Sequence, residues 1–186
     1  MDLGIIFTKA LAFVTLSGNI SALGIILAHA MLKPQFRKLM LYVSDQALPI
    51  GFFLSASATL GSIFYAAVVG YPACILCWTQ RIFMYPMMFL FAFAWWKRDR
   101  SIIPYALMLS LAGGAVALYQ WVKDMLALYA HFSLACPVVP GVPSCDRIYV
   151  LEFGYITIPM FALNIFILIA MVMYASLRLN KTQNDR

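Results

Sequence analysis

Charged residues are scarce in this chain: Asp, Glu, Lys and Arg make up 11% of its 186 residues, whereas 64% are hydrophobic. An ordinary soluble domain carries roughly 25% charged residues, so the composition excludes a water-soluble protein of this size. The chain also lacks internal repeats, low-complexity segments and any charged tail long enough to form a separate module. Because the length allows one domain, we expect a single domain embedded in a membrane.

Five apolar stretches are each long enough to cross the hydrocarbon core, which takes about 20 residues of helix. They cover residues 4–32, 47–70, 75–96, 102–122 and 154–176. The first contains Lys9, Asn19 and His29 and could be mistaken for a signal peptide. It lacks a basic n-region and is long for an h-region, so we interpret it as a retained span.

The predicted fold is an all-α membrane protein, a four-helix transmembrane bundle with an additional N-terminal transmembrane helix. Residues 1–38 would form the extra span and a basic cytoplasmic loop. Residues 39–178 would form the four-helix domain, and residues 179–186 a short cytoplasmic tail.

The basic residues predict the orientation of the chain. If the spans alternate, most Lys and Arg lie on one side: Lys33, Arg37, Lys38, Lys97, Arg98, Arg100, Arg178, Lys181 and Arg186. The positive-inside rule places that side in the cytoplasm. This topology explains the net charge of +6 better than a nucleic-acid partner does. The N-terminus and residues 123–153 then lie outside, and we expect all four cysteines at or beyond the outer surface.

The four cysteines fall into two pairs. Cys74 and Cys77 form a Cys-x-x-Cys motif at the start of one span, whereas Cys136 and Cys145 bracket a loop rich in Pro and Gly. A helix N-terminus carries partial positive charge that favours a thiolate, the species that attacks disulfides. Two such pairs that meet at a membrane surface can pass electrons from a thiol substrate to an acceptor in the lipid.

Arg81 lies four residues after Cys77, so both fall on the same helical face, with Arg81 one turn deeper. A cation there would stabilise a thiolate on Cys77. It could also hold the carbonyl oxygen of a quinone and the negative charge of the reduced form. A charge inside a span is a functional-site hypothesis by default. The neighbouring Gln80 could line a headgroup site or face an adjacent helix.

Structural interpretations of the cysteines stay open at this point. The first pair could be a structural disulfide or incidental buried thiols, and the second could staple an exterior loop. A zinc site would suit the count of four, but eight residues separate Cys136 from Cys145 and the compartment is oxidising. We therefore predict no metal.

Other polar or small residues give weaker signals. His131 is a minor candidate for proton transfer, and Asn164 is expected to make an interhelical hydrogen bond. Lys123 and Asp124 are expected to form a solvated helix end. Gly113-Gly114 is expected to permit close helix packing.

The run Cys74-Ile-Leu-Cys77-Trp-Thr-Gln-Arg81, followed by a span, resembles the signature of the DsbB family of disulfide-bond-formation proteins, which includes the BdbC type. The resemblance covers about residues 47–176 and includes the closing run Phe153-Gly-Tyr-Ile-Thr-Ile-Pro159. The best-known members have a longer second exterior loop, so the chain looks closer to the BdbC branch. The extra N-terminal span also departs from the family pattern, as does Gln80, which stands where some members have an acidic residue.

The resemblance implies an enzyme, a disulfide oxidoreductase of the bacterial inner membrane with several spans. It would reoxidise an exported thioredoxin-fold thiol oxidase, a DsbA-like partner, and pass the electrons to ubiquinone or menaquinone. By matching position, Cys136 would form the mixed disulfide with the partner, and the released Cys145 would reach Cys74. Cys77 would reduce the quinone, in a site that includes Arg81 and Gln80.

Two rival functions fit parts of the pattern. An enzyme of the vitamin K epoxide reductase type also couples a Cys-x-x-Cys to a quinone, but its motif usually lies on the last helix of the bundle. A non-enzymatic membrane scaffold or small-solute carrier with structural exterior disulfides is the alternative from a different class. That alternative predicts no quinone dependence and gives Arg81 no role.

Overall fold

The computed structural model describes residues 4–13, 15–16, 41–132, 134–137 and 140–184. Its helices are α1 (Gly4–Phe13), α2 (Ala47–Ala67), α3 (Ile75–Lys97), α4 (Ile103–Tyr129) and α5 (Ile158–Asn184). Within the described residues, β pairing is limited to one isolated bridge between Glu152 and Ile156. The prediction of an all-α fold is therefore confirmed.

Helices α2 to α5 are each long and apolar enough to cross a membrane, which confirms the four predicted spans of the bundle. The helix in the fourth stretch extends beyond the predicted apolar residues, about 102–122, and ends at Tyr129. Of the predicted span over residues 4–32, the structure describes α1 and residues 15–16. The rest of that prediction, with Asn19 and His29, lies outside the described residues.

Local sequence explains how two of these helices begin and end. Cys74 is the N-cap of α3 in an extended conformation, and its sulfur accepts a hydrogen bond from the Cys77 amide. That helix ends where Arg98 adopts a left-handed conformation with φ of 56°. Pro104 lies in the first turn of α4, where a backbone N–H would find no acceptor within the helix. The missing N–H of proline therefore costs no helical hydrogen bond. Cys74 thus stands at a helix start whose N–H groups point toward its sulfur.

The four long helices enclose one apolar core. α2 packs along α3, α4 packs along α5, and the two pairs join through contacts of α4 with α3 and of α2 with α5. Large uncharged side chains, each at most 1% exposed, fill this core: Met87, Phe91, Phe166, Ile169 and Met173. Burying one such side chain contributes about 1.5–3 kcal/mol, so this core fixes the relative positions of the helices that carry the site.

The end of the bundle that holds the cysteines has its own smaller cluster. Tyr65 near the end of α2 packs with Val150, Ile156 and Phe161, and the Tyr65 ring stacks on that of Tyr71. These contacts hold the segment after Cys145 against the helices. We call this end, defined by Cys74, Cys77, Cys136 and Cys145, the cysteine end.

Close helix packing at Gly113 is confirmed and gives a stability prediction. A Cβ at Gly113 would lie 2.4 Å from the Phe166 ring, whereas a Cβ at Gly114 would meet the Phe166 Cβ at an ordinary 3.4 Å. Gly113→Ala should lower the free energy of unfolding by about 1–3 kcal/mol, the usual cost of overpacking. Thermal unfolding in detergent measures the effect, with Gly114→Ala as the matched control. Equal unfolding temperatures for the two variants would contradict the prediction.

Candidate active site

The Cys74–Cys77 pair is compact. The two Sγ atoms lie 3.0 Å apart, and the Cys77 amide donates to Cys74 Sγ at 3.4 Å. Both residues are free thiols, Cys74 buried and Cys77 partly exposed. Hydrogen bonding to Cys77 and burial raise the pKa of the Cys74 thiol above its ordinary value. Both effects therefore disfavour the charged form of the Cys74 sulfur.

A buried amide from α4, which sequence reasoning missed, faces both sulfurs. Gln120 Nε2 lies 3.6 Å from Cys74 Sγ and 3.5 Å from Cys77 Sγ. Its Oε1 accepts a 2.9 Å hydrogen bond from Gln80 Nε2. Because a side-chain amide has one acceptor end and one donor end, that bond turns the donors of Gln120 toward the sulfurs. A polar residue inside an apolar span was the sequence signal that could have identified Gln120.

Lys123 and Asp124 are buried, so the prediction of a solvated helix end was wrong. Their exposed fractions are 1% and 4%. The cause is the loop that carries Cys145 and Asp146, which folds against this part of α4 and covers it. Lys123 Nζ donates to the Cys145 carbonyl at 2.8 Å and lies 3.2 Å from Asp146 Oδ1 and 3.5 Å from Asp124 Oδ1. Buried charges require such partners.

Cys136 and Cys145 form a disulfide, with their Cα atoms 6.1 Å apart. The two ends of this disulfide differ in environment. Cys145 is 3% exposed and lies beside Lys123, whereas Cys136 is partly exposed to solvent. Hydrogen bonds from Ser144 and Lys123 hold the pKa of the Asp146 carboxyl below its usual range. Asp146 is therefore ionised near neutral pH and can pair with Lys123.

A largely apolar cavity of about 250 Å³ opens beside Cys77. Cys77, Gln80 and Arg81, the three residues predicted for a quinone site, all line it. An apolar cavity of about 150 Å³ suffices for a benzene molecule. The volume beside Cys77 therefore suits a substituted ring, and the surrounding helices leave apolar walls for the rest of a lipophilic molecule.

Arg81 is held at this cavity by Ser62 on α2. Its Nε donates to Ser62 Oγ at 2.9 Å and a terminal nitrogen to the Ser62 carbonyl at 3.4 Å. The guanidinium also lies 5.0 Å from the centre of the Trp78 ring. A guanidinium has five N–H donors, so these two bonds leave donors for a bound carbonyl or anion.

Two further polar residues were candidates from the sequence, Asn164 and His131. Asn164 donates to the Met160 carbonyl of its own helix at 3.0 Å, so the predicted interhelical bond was wrong, and Asn164 lines the cavity instead. His131 lies exposed just after α4. Among the described residues, no group of three or more His, Cys, Asp or Glu is arranged to hold a metal ion.

Comparison with known proteins gives consistent matches. The family model for "Disulfide bond formation protein DsbB" matches residues 44–176. A probable disulfide formation protein C 1 of Bacillus anthracis is 37% identical over 126 residues, which is 68% of this chain and 88% of that relative. An SPbeta prophage-derived disulfide bond formation protein B of Bacillus subtilis is 36% identical, covering 63% of this chain and 76% of the relative. A probable disulfide formation protein of Coxiella burnetii is 32% identical, covering 63% and 78%. No solved structure matches the chain.

Proposed function

Since this chain belongs to the DsbB family of disulfide bond formation proteins, we propose that it is a membrane thiol:quinone oxidoreductase. Its substrate would be the reduced dithiol of an exported thioredoxin-fold thiol oxidase. The observation that supports this most strongly is the position of Cys77. Its sulfur lies 3.0 Å from Cys74 and lines the same cavity as Arg81. One sulfur thus belongs both to a dithiol and to a site for a lipophilic acceptor.

The first exchange takes place at the partly exposed Cys136. A thiolate of the partner attacks Cys136 Sγ, the Cys136–Cys145 bond breaks, and the electron pair leaves on Cys145. The partner's second thiolate then attacks the mixed disulfide, which releases the partner oxidised and leaves Cys136 as a thiolate. Two electrons have thus reduced the Cys136–Cys145 disulfide to two thiols.

The second exchange carries those electrons inward. The Cys145 thiolate attacks Cys74 of an oxidised Cys74–Cys77 pair, forming a Cys145–Cys74 bond and leaving the charge on Cys77. The Cys136 thiolate then attacks Cys145, which restores the Cys136–Cys145 disulfide and frees Cys74. A quinone bound at the cavity supplies the final acceptor of two electrons and two protons.

The residues around Cys77 prepare it for this last step. Gln120 donates toward its sulfur and thereby favours the thiolate. The spare donors of Arg81 suit a quinone carbonyl and the negative charge that develops on it during reduction. Because ubiquinone and menaquinone share that carbonyl, either fits the proposal.

The location proposed for the protein follows the distribution of basic residues. The bundle places Lys97, Arg98 and Arg100 at the end opposite the cysteine end. We place the cysteine end and the N-terminus outside the bacterial inner membrane and the C-terminus in the cytoplasm, by the positive-inside rule. The proposed membrane domain, residues 39–178, contains the matched range 44–176.

Trapping of the partner tests this function. In Cys145→Ser, the Cys136 thiolate can attack the disulfide of an oxidised partner: the partner's disulfide breaks, one partner thiol is released, and the mixed disulfide forms. Acid quenching and alkylation block the released thiol, so the mixed disulfide should accumulate in the quenched membranes. Non-reducing gels and mass spectrometry would identify the trapped protein, and Cys136→Ser is the matched control that should trap nothing. Absence of a trapped thioredoxin-fold protein in Cys145→Ser would instead favour the scaffold alternative.

A further inference from the structure

Lys123 is a buried cation that the reaction scheme above does not use. Its side chain is 1% exposed and contacts three oxygens: the Cys145 carbonyl, Asp146 Oδ1 and Asp124 Oδ1. Burying an ammonium group is costly unless its donors are paired. Two of these three oxygens belong to the exterior loop, so Lys123 ties that loop to α4.

The position of Lys123 on α4 relates this tie to the first cysteine pair. Gln120 and Lys123 are three residues apart and share a helical face, about 4.5 Å apart along the axis. Gln120 contacts the sulfurs of Cys74 and Cys77, whereas Lys123 contacts the backbone of Cys145. A single turn of α4 therefore contacts both cysteine pairs.

Within the part of the chain that the structure describes, no buried charged group contacts the other end of the disulfide. Cys136 is partly exposed, and its sulfur lies 3.7 Å from the carbonyl of the adjacent Pro137. The nearest link to α4 is the exposed Tyr119 hydroxyl, which donates to the Ala135 carbonyl at 2.6 Å. The contact near Cys136 is thus open to solvent, whereas the contact at Cys145 is buried.

We propose that Lys123 is a positioning residue that holds Cys145 next to Cys74 for the transfer of electrons between the two pairs. The proposal rests on the function given above. In the step concerned, the Cys145 thiolate attacks Cys74 Sγ, the Cys145–Cys74 bond forms, the Cys74–Cys77 bond breaks, and Cys77 leaves as the thiolate. No further oxidant or proton is required.

An internal equilibrium measures this positioning without a quinone. In a Cys136→Ser background, a chain with one disulfide contains Cys74–Cys77, Cys74–Cys145 or Cys77–Cys145, each with the third cysteine free, and the first two isomers are compared. Their ratio does not depend on the external redox potential, because each contains one disulfide and one thiol. It reports the effective concentration of Cys145 at Cys74.

Lys123→Met in this background should lower the fraction with Cys74–Cys145 about tenfold relative to Cys74–Cys77, since misplacement by about 1 Å can cost 100-fold in a positioned reaction. Rapid alkylation of the purified full chain followed by peptide mass spectrometry gives the ratio. Lys123→Arg should restore most of it, because Arg keeps the charge and the donors. Tyr129→Phe is the matched control: it removes a 2.7 Å bond from the same helix to the Gly154 carbonyl of the same exterior segment, and should leave the ratio unchanged.

Reduction of quinone by a small dithiol, which needs the first pair alone, separates the possible results. Lys123→Met should retain this activity in the chain with all four cysteines. A ratio within twofold of the parent, an equal shift in Tyr129→Phe, or loss of the small-dithiol activity in Lys123→Met would each overturn the positioning role. If no variant, including the parent, reduces quinone while the ratio still shifts, the proposed function fails and the positioning of Cys145 stands.

Discussion

Cys77→Ser should reduce quinone-dependent oxidation of the partner to background, a loss of roughly 1,000-fold or more, while leaving Cys136 able to trap the partner. A serine hydroxyl cannot form the Cys74–Cys77 disulfide, and it is a far weaker nucleophile than a thiolate near neutral pH. The two activities separate because the Cys136–Cys145 disulfide does not include Cys77. Quinone reduction followed by absorbance, together with non-reducing gels, measures both.

Cys136→Ser supplies the reverse phenotype as a control. It should lose the mixed disulfide but keep quinone reduction by a small dithiol, because the first pair and the cavity are untouched. Full partner oxidation by Cys77→Ser would reject the assignment of Cys77 as the donor to quinone. Loss of both activities in Cys136→Ser would show that the two pairs do not act in sequence.

Arg81→Met should raise the KM for quinone and lower kcat/KM about 30-fold. A hydrogen bond from a charged group contributes about 2 kcal/mol, and each 1.36 kcal/mol corresponds to about tenfold in rate. Two hydrogen bonds to Ser62, at 2.9 Å and 3.4 Å, fix the Arg81 guanidinium at the cavity. The expected fall in kcat/KM is therefore that of losing a positioned donor. Initial rates over a range of quinone concentrations give both constants.

Lys97→Met is the matched control for Arg81→Met, since it removes one positive charge from the far end of the same helix. Its KM should stay within about twofold of the parent value. Arg81→Lys should recover part of the loss, because a lysine keeps the charge but not the forked donors. An unchanged KM in Arg81→Met would remove Arg81 from the quinone site.

Sequence reasoning succeeded where a relationship lies within one helix. Cys74, Cys77 and Arg81 fall within two turns of α3, so their spacing alone predicts a common face and a common end. The Gly113-Gly114 pair was similarly informative, since few residues allow helices to approach so closely. The four spans could be predicted from their apolar length.

Sequence reasoning failed where contact between residues depends on how separate helices pack. Gln120 reaches the sulfurs only because α4 lies beside α3, and no spacing in the sequence reports that rotation. Lys123 and Asp124 were misjudged because charged residues after an apolar run are typical of a helix end at the membrane surface. Their burial depends on the loop that carries Cys145 folding back over α4. Asn164 was assigned to a neighbouring helix, but the nearby Met160 carbonyl satisfies it instead.

The side chain that faces the two sulfurs is an amide, and this affects how the site responds to pH. Gln120 has no titrating proton, unlike an imidazole, whose charge changes between about pH 5 and 8. Its donors toward Cys74 and Cys77 are therefore equally available in acidic and alkaline media. Under the proposed function, the sulfur that would reduce the quinone therefore keeps the same hydrogen-bond donors as the pH of its surroundings changes.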